Sequence, residues 1–381
     1  MNTDFLVSRK ELFNKLTVYG QSPWLDNISR CIIESGELKK LVDNGIITGI
    51  TSNPSIFEKS INSGKCGYTE LIKKLALRKM NPFEIYDEIT REDIKNAAGI
   101  LRPVFEKTSG NDGFVSIEVP PNIATNAETS IKEAERIFGL VGEKNVFIKI
   151  PATREGLEVI TFLISKGINV NVTLMFSMSH YLSVTKAYID GLKKALENGL
   201  ELKNIHSVAS FFVSRVDTLV DRMLSEIVKN EQDSIKKTAT RLIGMAATAN
   251  SKIIFRKYNE IFKSEDFEVL MAKGANVQRL LWASTSTKNP LYHDLKYVEP
   301  LIGRNTINTL PETTIENIAD HGNIQPDTAE KDYEASLKVQ VDLLSIGIDL
   351  NDVGEKLQVE GVKLFDDSYE KLLKSIENII A

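Results

Sequence analysis

The sequence is poor in the residues that build disulfide scaffolds and metal centres. It contains only two cysteines, Cys31 and Cys66, among 381 residues, and four histidines with no pair at metal-binding spacing. Two cysteines this far apart indicate neither a disulfide framework nor a structural zinc site. We therefore expect a reduced protein that binds no metal.

The chain also lacks long apolar runs and a strong charge of one sign. No run approaches the ~18 apolar residues of a membrane-spanning helix, and the N-terminal MNTDFLVSRKELFNKL is predicted to be a polar amphipathic helix, not a signal peptide. The net charge is −5, which disfavours nucleic-acid binding. These features predict a soluble, cytoplasmic protein without membrane or nucleic-acid partners, and they are compatible with a homo-oligomer. An anionic substrate would have to be held by a few local cations.

A glycine-rich phosphate loop of the G-x-G-x-x-G or Walker type is missing too, which disfavours a doubly wound nucleotide-binding sheet. Instead, short apolar runs alternate with amphipathic segments, as in NVFIKI, TREGLEVITFLISKG and INVNVTLMF. This alternation is typical of parallel strands joined by right-handed helical crossovers. Eight strands are predicted: PWLDNIS, IITGITS, FVSIEV, NVFIKI, INVNVTL, SVASFFV, RLLWAST and NTINTLP.

Eight such strands predict an α/β protein of the TIM (β/α)8 barrel class, which typically has about 250 residues. We expect residues 1–381 to form a single domain of this kind. The surplus length predicts additional helices within residues 56–112 and 215–278. It also predicts a C-terminal helical tail from about Thr328.

Polar side chains close nearly every predicted strand, and in TIM barrels the functional side chains lie at the C-terminal ends of the strands. Taken singly, each is equally well explained by the ordinary polarity of strand ends. The set consists of Asp26, Asn53, Glu118, Lys149, Asn171 with Thr173, Ser210 with Arg215, Ser284 with Lys288, and Asn308.

Lys149 carries the sharpest hypothesis. Strand alternation places Phe147 and Lys149 on one face and three apolar neighbours on the other, so Lys149 is predicted to point into the barrel. Burial lowers the pKa of an ammonium group, and a neutral lysine attacks carbonyls to form a Schiff base. The alternatives are a lysine that reaches solvent or one that forms a buried ion pair with Glu118.

The carboxylates Asp26 and Glu118 are candidates for the proton transfers of Schiff-base chemistry. Asp26 is equally interpretable as the N-cap of the helix that starts in NISRCII. Ser55 and Glu58 fit a capping box, which leaves Asn53 unexplained. Thr173 and Ser210 are also consistent with core hydroxyls bonded to the backbone.

Two cations are candidates for binding an anion. Arg215 follows an apolar run, and Lys288 lies among hydroxyl side chains in WASTSTKNP, so both suit a phosphate or carboxylate. An ion pair with Asp217 or Asp221 is the alternative for Arg215.

Several of these segments occur together in one known family, and the sequence resembles transaldolase. The likeness covers nearly the whole chain, including its C-terminal tail, and TSNPS, the lysine strand and NVTLMF together are specific to that family. The matching segments are WLDNISR, GITSNPSIF, VFIKIPATREG, NVNVTLMFS, SVASFFVSRVD, RLLWASTSTKNP and NTINTLPE.

The resemblance implies roles for the residues that match. Lys149 would be the Schiff-base lysine, Asp26 the acid/base at the substrate's C4 hydroxyl, and Glu118 with Thr173 the pair that positions a water. Three more residues would bind the dihydroxyacetone moiety and Arg215 would bind phosphate. The dihydroxyacetone-binding set is Asn53, Asn171 and Ser210.

This chain differs from the family at one of the residues that bind phosphate. Shorter transaldolases have a second arginine after the seventh strand, where this chain offers Ser284, Ser286 and Lys288. Ser214 also stands where the shorter enzymes often have glycine.

The implied activity is that of a transferase of the pentose phosphate pathway. It would move dihydroxyacetone from sedoheptulose 7-phosphate or fructose 6-phosphate to glyceraldehyde 3-phosphate or erythrose 4-phosphate, without a cofactor. Two alternatives remain open at this point: a fructose 6-phosphate aldolase, and a non-catalytic barrel that binds sugar phosphates.

Overall fold

A computed structural model describes residues 1–381 and contains eight parallel strands that close into a barrel. Each strand pairs with its neighbour in sequence, and β8 pairs with β1 through a register that includes Pro23 and Asn308. The predicted TIM barrel is therefore confirmed, and each of the eight strands overlaps its predicted segment. The strands are β1 Gln21–Leu25, β2 Gly49–Ile50, β3 Val115–Glu118, β4 Val146–Pro151, β5 Val170–Met175, β6 Ser207–Phe212, β7 Arg279–Ala283 and β8 Thr306–Leu310.

Seventeen α-helices surround or extend the barrel. The helices in the first half of the chain are α1 Thr3–Ser8, α2 Lys10–Val18, α3 Arg30–Glu34, α4 Glu37–Asp43, α5 Pro54–Asn62, α6 Tyr68–Ala76, α7 Pro82–Lys107, α8 Ala127–Val141 and α9 Arg154–Ser165. Those in the second half are α10 Met178–Glu197, α11 Ser214–Asn230, α12 Asp233–Leu242, α13 Ala246–Phe262, α14 Glu265–Met271, α15 Glu312–His321, α16 Tyr333–Ser345 and α17 Leu350–Ile380.

The surplus length forms helices where the sequence predicts them. The segment between β2 and β3 contains α5, α6 and α7, and the segment between β6 and β7 contains α11 to α14. The N-terminal amphipathic helix is divided into α1 and α2, because Arg9 leaves helical geometry with φ −112° and ψ 17°. No helix combines the length and the apolar character needed to cross a membrane.

Large aromatic side chains fill the lower interior of the barrel. The ring of Phe147 in β4 stacks on Phe114 at 4.1 Å and lies 6.2 Å from Trp24 in β1. Gly49 in β2 faces Trp24 so closely that a Cβ there would lie 2.4 Å from the indole ring. This aromatic layer lies below Lys149 and separates the upper end of the barrel from a lower end that contains the buried side chain of Arg279 and the partly buried side chain of His206.

The C-terminal helix α17 lies across this upper end. Two glycines allow a close approach, since a Cβ on Gly354 would lie 2.5 Å from the Ser177 side chain and one on Gly361 2.8 Å from Leu174. Both contacted residues lie at the end of β5 or just beyond it. The helical tail predicted from the sequence is therefore a cover over the barrel mouth.

Cys31 and Cys66 form a disulfide, contrary to the expectation of two unpaired thiols. Cys31 lies in α3, and Cys66 lies between α5 and α6. The fold brings their Cα atoms to 4.6 Å across 35 residues of sequence. This proximity depends on how α3 packs beside the segment after β2, which the cysteine count does not indicate.

Candidate active site

Lys149 lies inside the upper end of the barrel, on the same face of β4 as Phe147, as the alternation predicts. Its side chain is 7% exposed, and its ammonium group donates to the Ser52 carbonyl oxygen at 3.0 Å. The Nζ atom also lies 3.7 Å from Glu118 Oε2. The buried ion pair weighed from the sequence is thus present, and one carbonyl anchors the amine while leaving its other protons free.

Glu118 closes β3 directly beside Lys149 on the neighbouring strand. Burial raises the pKa of Glu118 to about 7, although the positive charge of Lys149 opposes this rise. Glu118 Oε2 and the Thr173 hydroxyl are buried and have no hydrogen-bond partner in the protein. Because buried polar groups are nearly always hydrogen-bonded, these two atoms have capacity for a water or a substrate hydroxyl.

Asp26 follows β1 on the inward face and lines the cavity above Lys149. Burial raises the pKa of its carboxyl, while the charges of Lys149, Lys288 and Lys59 lower it. Its interpretation as a helix N-cap is wrong, because the side chain of Ser29 caps α3 by accepting from the Ile32 amide. The Asp26 carboxyl therefore has no capping role and is available to the cavity.

The TSNPS segment positions Asn53 at the end of β2 and the start of α5. Asn53 Oδ1 accepts from the Ile56 amide at 3.0 Å, so Asn53 is the N-cap while it also lines the cavity. The capping box predicted for Ser55 and Glu58 is wrong. The Ser55 hydroxyl donates instead to Ser368 of α17 at 2.8 Å.

Asn171 and Ser210 form a side-chain network under the cavity floor. The Ser210 hydroxyl donates to Asn171 Oδ1 at 2.7 Å, and Asn171 Nδ2 donates to the Ser116 hydroxyl at 2.9 Å. Ser210 lines the cavity, whereas Asn171 lies buried beneath it. Neither Ser210 nor Thr173 donates its hydroxyl to the backbone, so the interpretation as ordinary core hydroxyls is wrong for both.

Three cations at the mouth, Arg215, Lys288 and Lys59, have no carboxylate within 4 Å. The Arg215 guanidinium lies over the Phe212 ring at 5.7 Å, and burial lowers its pKa. The Lys288 ammonium donates to Ser286 at 2.7 Å, and burial and the charge of Arg215 lower its pKa. All three cations line the same cavity, which is the arrangement expected of an anion site.

The ion pairs proposed as an alternative for Arg215 are absent. Asp217 accepts from the Tyr297 hydroxyl and the Ala247 amide, and Asp221 accepts from the Tyr292 hydroxyl at 2.6 Å. Both carboxylates are therefore engaged by partners other than Arg215.

The segment after β7 supplies further hydroxyls. Ser284 adopts a left-handed conformation, with φ 56°, and its hydroxyl lies 3.0 Å from that of Ser214. Ser284 and Ser286 both line the cavity. Asn308 does not, because it lies on the outward face of β8 and accepts from the Thr285 hydroxyl at 2.8 Å. The prediction that Asn308 belongs to the functional strand ends is therefore wrong, because the neighbouring residue Thr309 faces the cavity instead.

Helix α17 contributes two residues that the sequence analysis does not identify. The Phe365 ring centroid lies 6.0 Å from Lys149 Nζ and forms part of the cavity wall. The Gln358 amide donates to the carbonyls of Ala152, at 2.9 Å, and Leu174, at 3.1 Å. Ala152 directly follows the strand that carries Lys149, and Leu174 lies in the strand that carries Thr173, so Gln358 joins the cover to the site.

Lys59 is the third residue that the sequence analysis missed. It lies on α5 and not at a strand end. Lys59 follows Ser55 by four residues, a helical spacing that places both on one face of α5. That spacing could have predicted from the sequence that Lys59 faces the same cavity as Ser55.

The cavity enclosed by these elements has a volume of about 410 Å³. Lys149, Asp26 and the three cations line this cavity, and Glu118 lies beside it, 3.7 Å from the Lys149 amine. A groove of similar volume, about 430 Å³, lies on the outer surface between α13 and α16 and includes none of the predicted residues. The cavity at the barrel mouth therefore combines a buried nucleophile with an anion site.

The comparisons with known proteins agree with this geometry. Residues 23–376 match the family described as transaldolase/fructose-6-phosphate aldolase. The chain is 45% identical over 361 residues to a transaldolase of Trichodesmium erythraeum, covering 94% of each chain. It is 44% identical to transaldolase 2 of Nostoc punctiforme, covering 100% of this chain and 98% of that one. It is 43% identical to a transaldolase of Mycobacterium leprae, covering 95% of each. The chain therefore belongs to the transaldolase/fructose-6-phosphate aldolase family.

Proposed function

We propose that the transaldolase reaction of this protein passes through a Schiff base on Lys149. The donor is a ketose phosphate, sedoheptulose 7-phosphate or fructose 6-phosphate. The acceptor is an aldose phosphate, glyceraldehyde 3-phosphate or erythrose 4-phosphate. The observation that supports the proposal is the buried amine of Lys149 beside the carboxylates of Glu118 and Asp26. Three cations without carboxylate partners line the same cavity.

The first half of the reaction joins the donor to the enzyme. Lys149 gives up its ammonium proton, and the freed amine attacks the C2 carbonyl to form a carbinolamine, which loses its hydroxyl as water to give an iminium ion. The proton that this step requires comes through a water held by Glu118 and Thr173, whose unpartnered atoms support this role. A carboxyl with a pKa of about 7 both accepts and donates a proton near neutral pH.

Carbon–carbon bond cleavage then requires a base at the C4 hydroxyl. Asp26 takes that proton, the C3–C4 bond breaks, and its electron pair passes into the iminium group to give an enamine. The aldose product leaves, and the enamine attacks the acceptor aldehyde while Asp26 returns the proton. Water finally releases the new ketose from Lys149. The Ser210 hydroxyl and Asn53 hold the dihydroxyacetone part, with Asn171 orienting Ser210.

The phosphate group lies at the cationic end of the cavity. Arg215 and Lys288 contact it directly, with hydroxyls from Ser284 and Ser286, and Lys59 adds positive charge from α5. Lys288 thus takes the place of the arginine found in the shorter relatives.

Borohydride trapping with fructose 6-phosphate tests this assignment. We expect a three-carbon or six-carbon mass adduct on Lys149 in the parent protein and none in Lys149→Ala. Asp26→Ala should still form the six-carbon adduct while its turnover collapses, because Asp26 acts after the Schiff base has formed. A parent protein without any adduct would instead support the non-catalytic sugar-phosphate-binding barrel.

The aldolase alternative differs only in the fate of the enamine. Incubation with fructose 6-phosphate alone should release dihydroxyacetone much more slowly than transfer proceeds once erythrose 4-phosphate is added. Comparable rates would assign the protein as an aldolase. The cover formed by Phe365 supports transfer, since it separates the amine from bulk water.

We further propose that residues 1–381 act as one domain in the cytoplasm, without nucleic-acid partners. One continuous hydrophobic core that includes residues from Leu6 to Ile376 supports a single domain. A net charge of −5 supports the absence of nucleic-acid binding.

A further inference from the structure

Two of the four histidines lie together on the surface, away from the reacting amine. His293 belongs to the segment between β7 and β8, and His321 is the last residue of α15. Their side chains are 59% and 38% exposed, and their rings are 5.6 Å apart. Asp294 lies between them with a carboxylate that contacts both rings.

The distances within this cluster suit a tetrahedral metal ion. His321 Nε2 lies 3.0 Å from Asp294 Oδ1, and His293 Nδ1 lies 3.7 Å from the same oxygen. All three ligand atoms lie within 4.8 Å of one another. Ligands bound to zinc at 2.0–2.1 Å in a tetrahedron are separated by about 3.3 Å, and the two closer distances bracket that value.

A second carboxylate fixes the orientation of one imidazole. Asp320 Oδ2 lies 3.1 Å from His321 Nδ1, the ring nitrogen opposite the cluster. Metal-binding histidines almost always donate their other N–H to such a carboxylate, which sets the tautomer that binds metal. The Leu295 amide donates to His293 Nδ1 at 3.2 Å. A metal ion at His293 Nδ1 would replace this hydrogen bond.

We propose that His293, Asp294 and His321 form a site for a zinc-type divalent cation, with solvent completing the coordination. Two imidazoles and one carboxylate suit the late first-row divalent metals, of which Zn²⁺ takes this ligand set most commonly. The proposed Schiff-base mechanism does not use such an ion, and none of the three ligands lines the cavity above Lys149.

The cation would join the segment after β7 to the end of α15. The Thr287 hydroxyl donates to the carbonyls of His293 and Asp294, each at 3.0 Å. Thr287 lies between Ser286 and Lys288, which line the cavity. Fixing His293 and Asp294 therefore restrains the segment that presents Lys288 to the mouth.

Calorimetric titration with Zn²⁺ at pH 7.5 tests the proposal, using protein in which the Cys31–Cys66 disulfide is intact. We expect one ion per chain, with affinity at least tenfold weaker in His293→Ala and in His321→Ala. Asp320→Asn leaves all three ligands in place and should weaken binding by about 10- to 100-fold, the usual effect of losing such a supporting carboxylate. The control is Asp43→Asn, which removes an exposed carboxylate with no histidine nearby and should leave the affinity unchanged.

Two further measurements locate the ion. Co²⁺ should give the intense visible absorption of a tetrahedral site in the parent protein and lose it in His321→Ala. Hydrogen exchange should slow in residues 286–298 when Zn²⁺ is added. Because both histidines are exposed, their variants should fold, which far-ultraviolet circular dichroism checks. A parent protein with no stoichiometric Zn²⁺ binding, or equal affinity in the His293→Ala/His321→Ala double variant, would overturn the proposal and leave the cluster as an ordinary salt bridge.

Discussion

Replacement of Arg215 by alanine tests the anion end of the cavity most directly. The guanidinium is partly buried and has no carboxylate partner, so its removal leaves no acidic group unpaired. A hydrogen bond to a charged group contributes about 1.5–3 kcal/mol. Loss of that contact should lower kcat/KM for fructose 6-phosphate by about 10- to 150-fold, since 1.4 kcal/mol corresponds to a factor of ten.

The assay compares two donors in a double-mutant cycle. Fructose 6-phosphate and unphosphorylated fructose are each tested with parent protein and Arg215→Ala, using erythrose 4-phosphate as acceptor. If Arg215 binds the donor phosphate, the variant loses activity towards fructose 6-phosphate and little towards fructose. The matched control is Arg304→Ala, an arginine that is 78% exposed and precedes β8 at the opposite end of the barrel.

Two results would refute the assignment of Arg215 to the donor phosphate. Equal losses for both donors would show that Arg215 acts on the sugar or on the structure and not on the phosphate. A large loss in Arg304→Ala would show that the assay reports general charge and not a local contact.

Three other predictions concern the supporting structure. Burial holds the folded pKa of Glu118 near 7, above its ordinary 4.5, so the unfolded chain loses this proton first and stability falls as pH rises. Urea titrations of the parent and of Glu118→Gln give the difference between their free energies of unfolding. This difference should fall by about 2 kcal/mol from pH 5 to pH 7.5, to the disadvantage of the parent. A difference that stays constant with pH would contradict the raised pKa of Glu118. Gln358→Leu leaves two buried carbonyls without their donor and should reduce stability by about 1–3 kcal/mol and lower kcat; unchanged values of both would exclude a positioning role. The Cys31→Ser/Cys66→Ser double variant should lose about 4 kcal/mol, because the bond closes a 35-residue separation in the unfolded chain; equal stability under non-reducing conditions would refute this.

The strand pattern predicted the barrel and most of its polar rim because both depend on local periodicity. Inward residues recur every second position, so Lys149 and Glu118 follow from alternation and from their place at the ends of β4 and β3. The same alternation explains why the prediction for Asn308 is wrong. A shift of one residue along a strand moves a side chain to the opposite face. The strand ends alone could not decide this, because a strand's inward face depends on the packed core below it.

Other features depend on contacts between distant segments and were not predicted. The Cys31–Cys66 bond and the pairing of His293 with His321 each join a helix to a segment that is distant in the sequence. The location of Phe365 depends on where α17 docks, which its helical pattern does not specify. Tertiary packing decides such pairs, and local sequence carries little of that information.

The position of α17 in the chain has a consequence for the order in which the site is completed during synthesis. Pairing of β8 with β1 closes the barrel once Leu310 has emerged, whereas α17 begins only at Leu350 and ends at Ile380. At about 5–20 residues per second, the end of the cover follows the last strand by roughly 4–14 seconds. A chain that folds as it is synthesised would therefore close its barrel before Phe365 is made, and its amine would be shielded from water only after the barrel has formed.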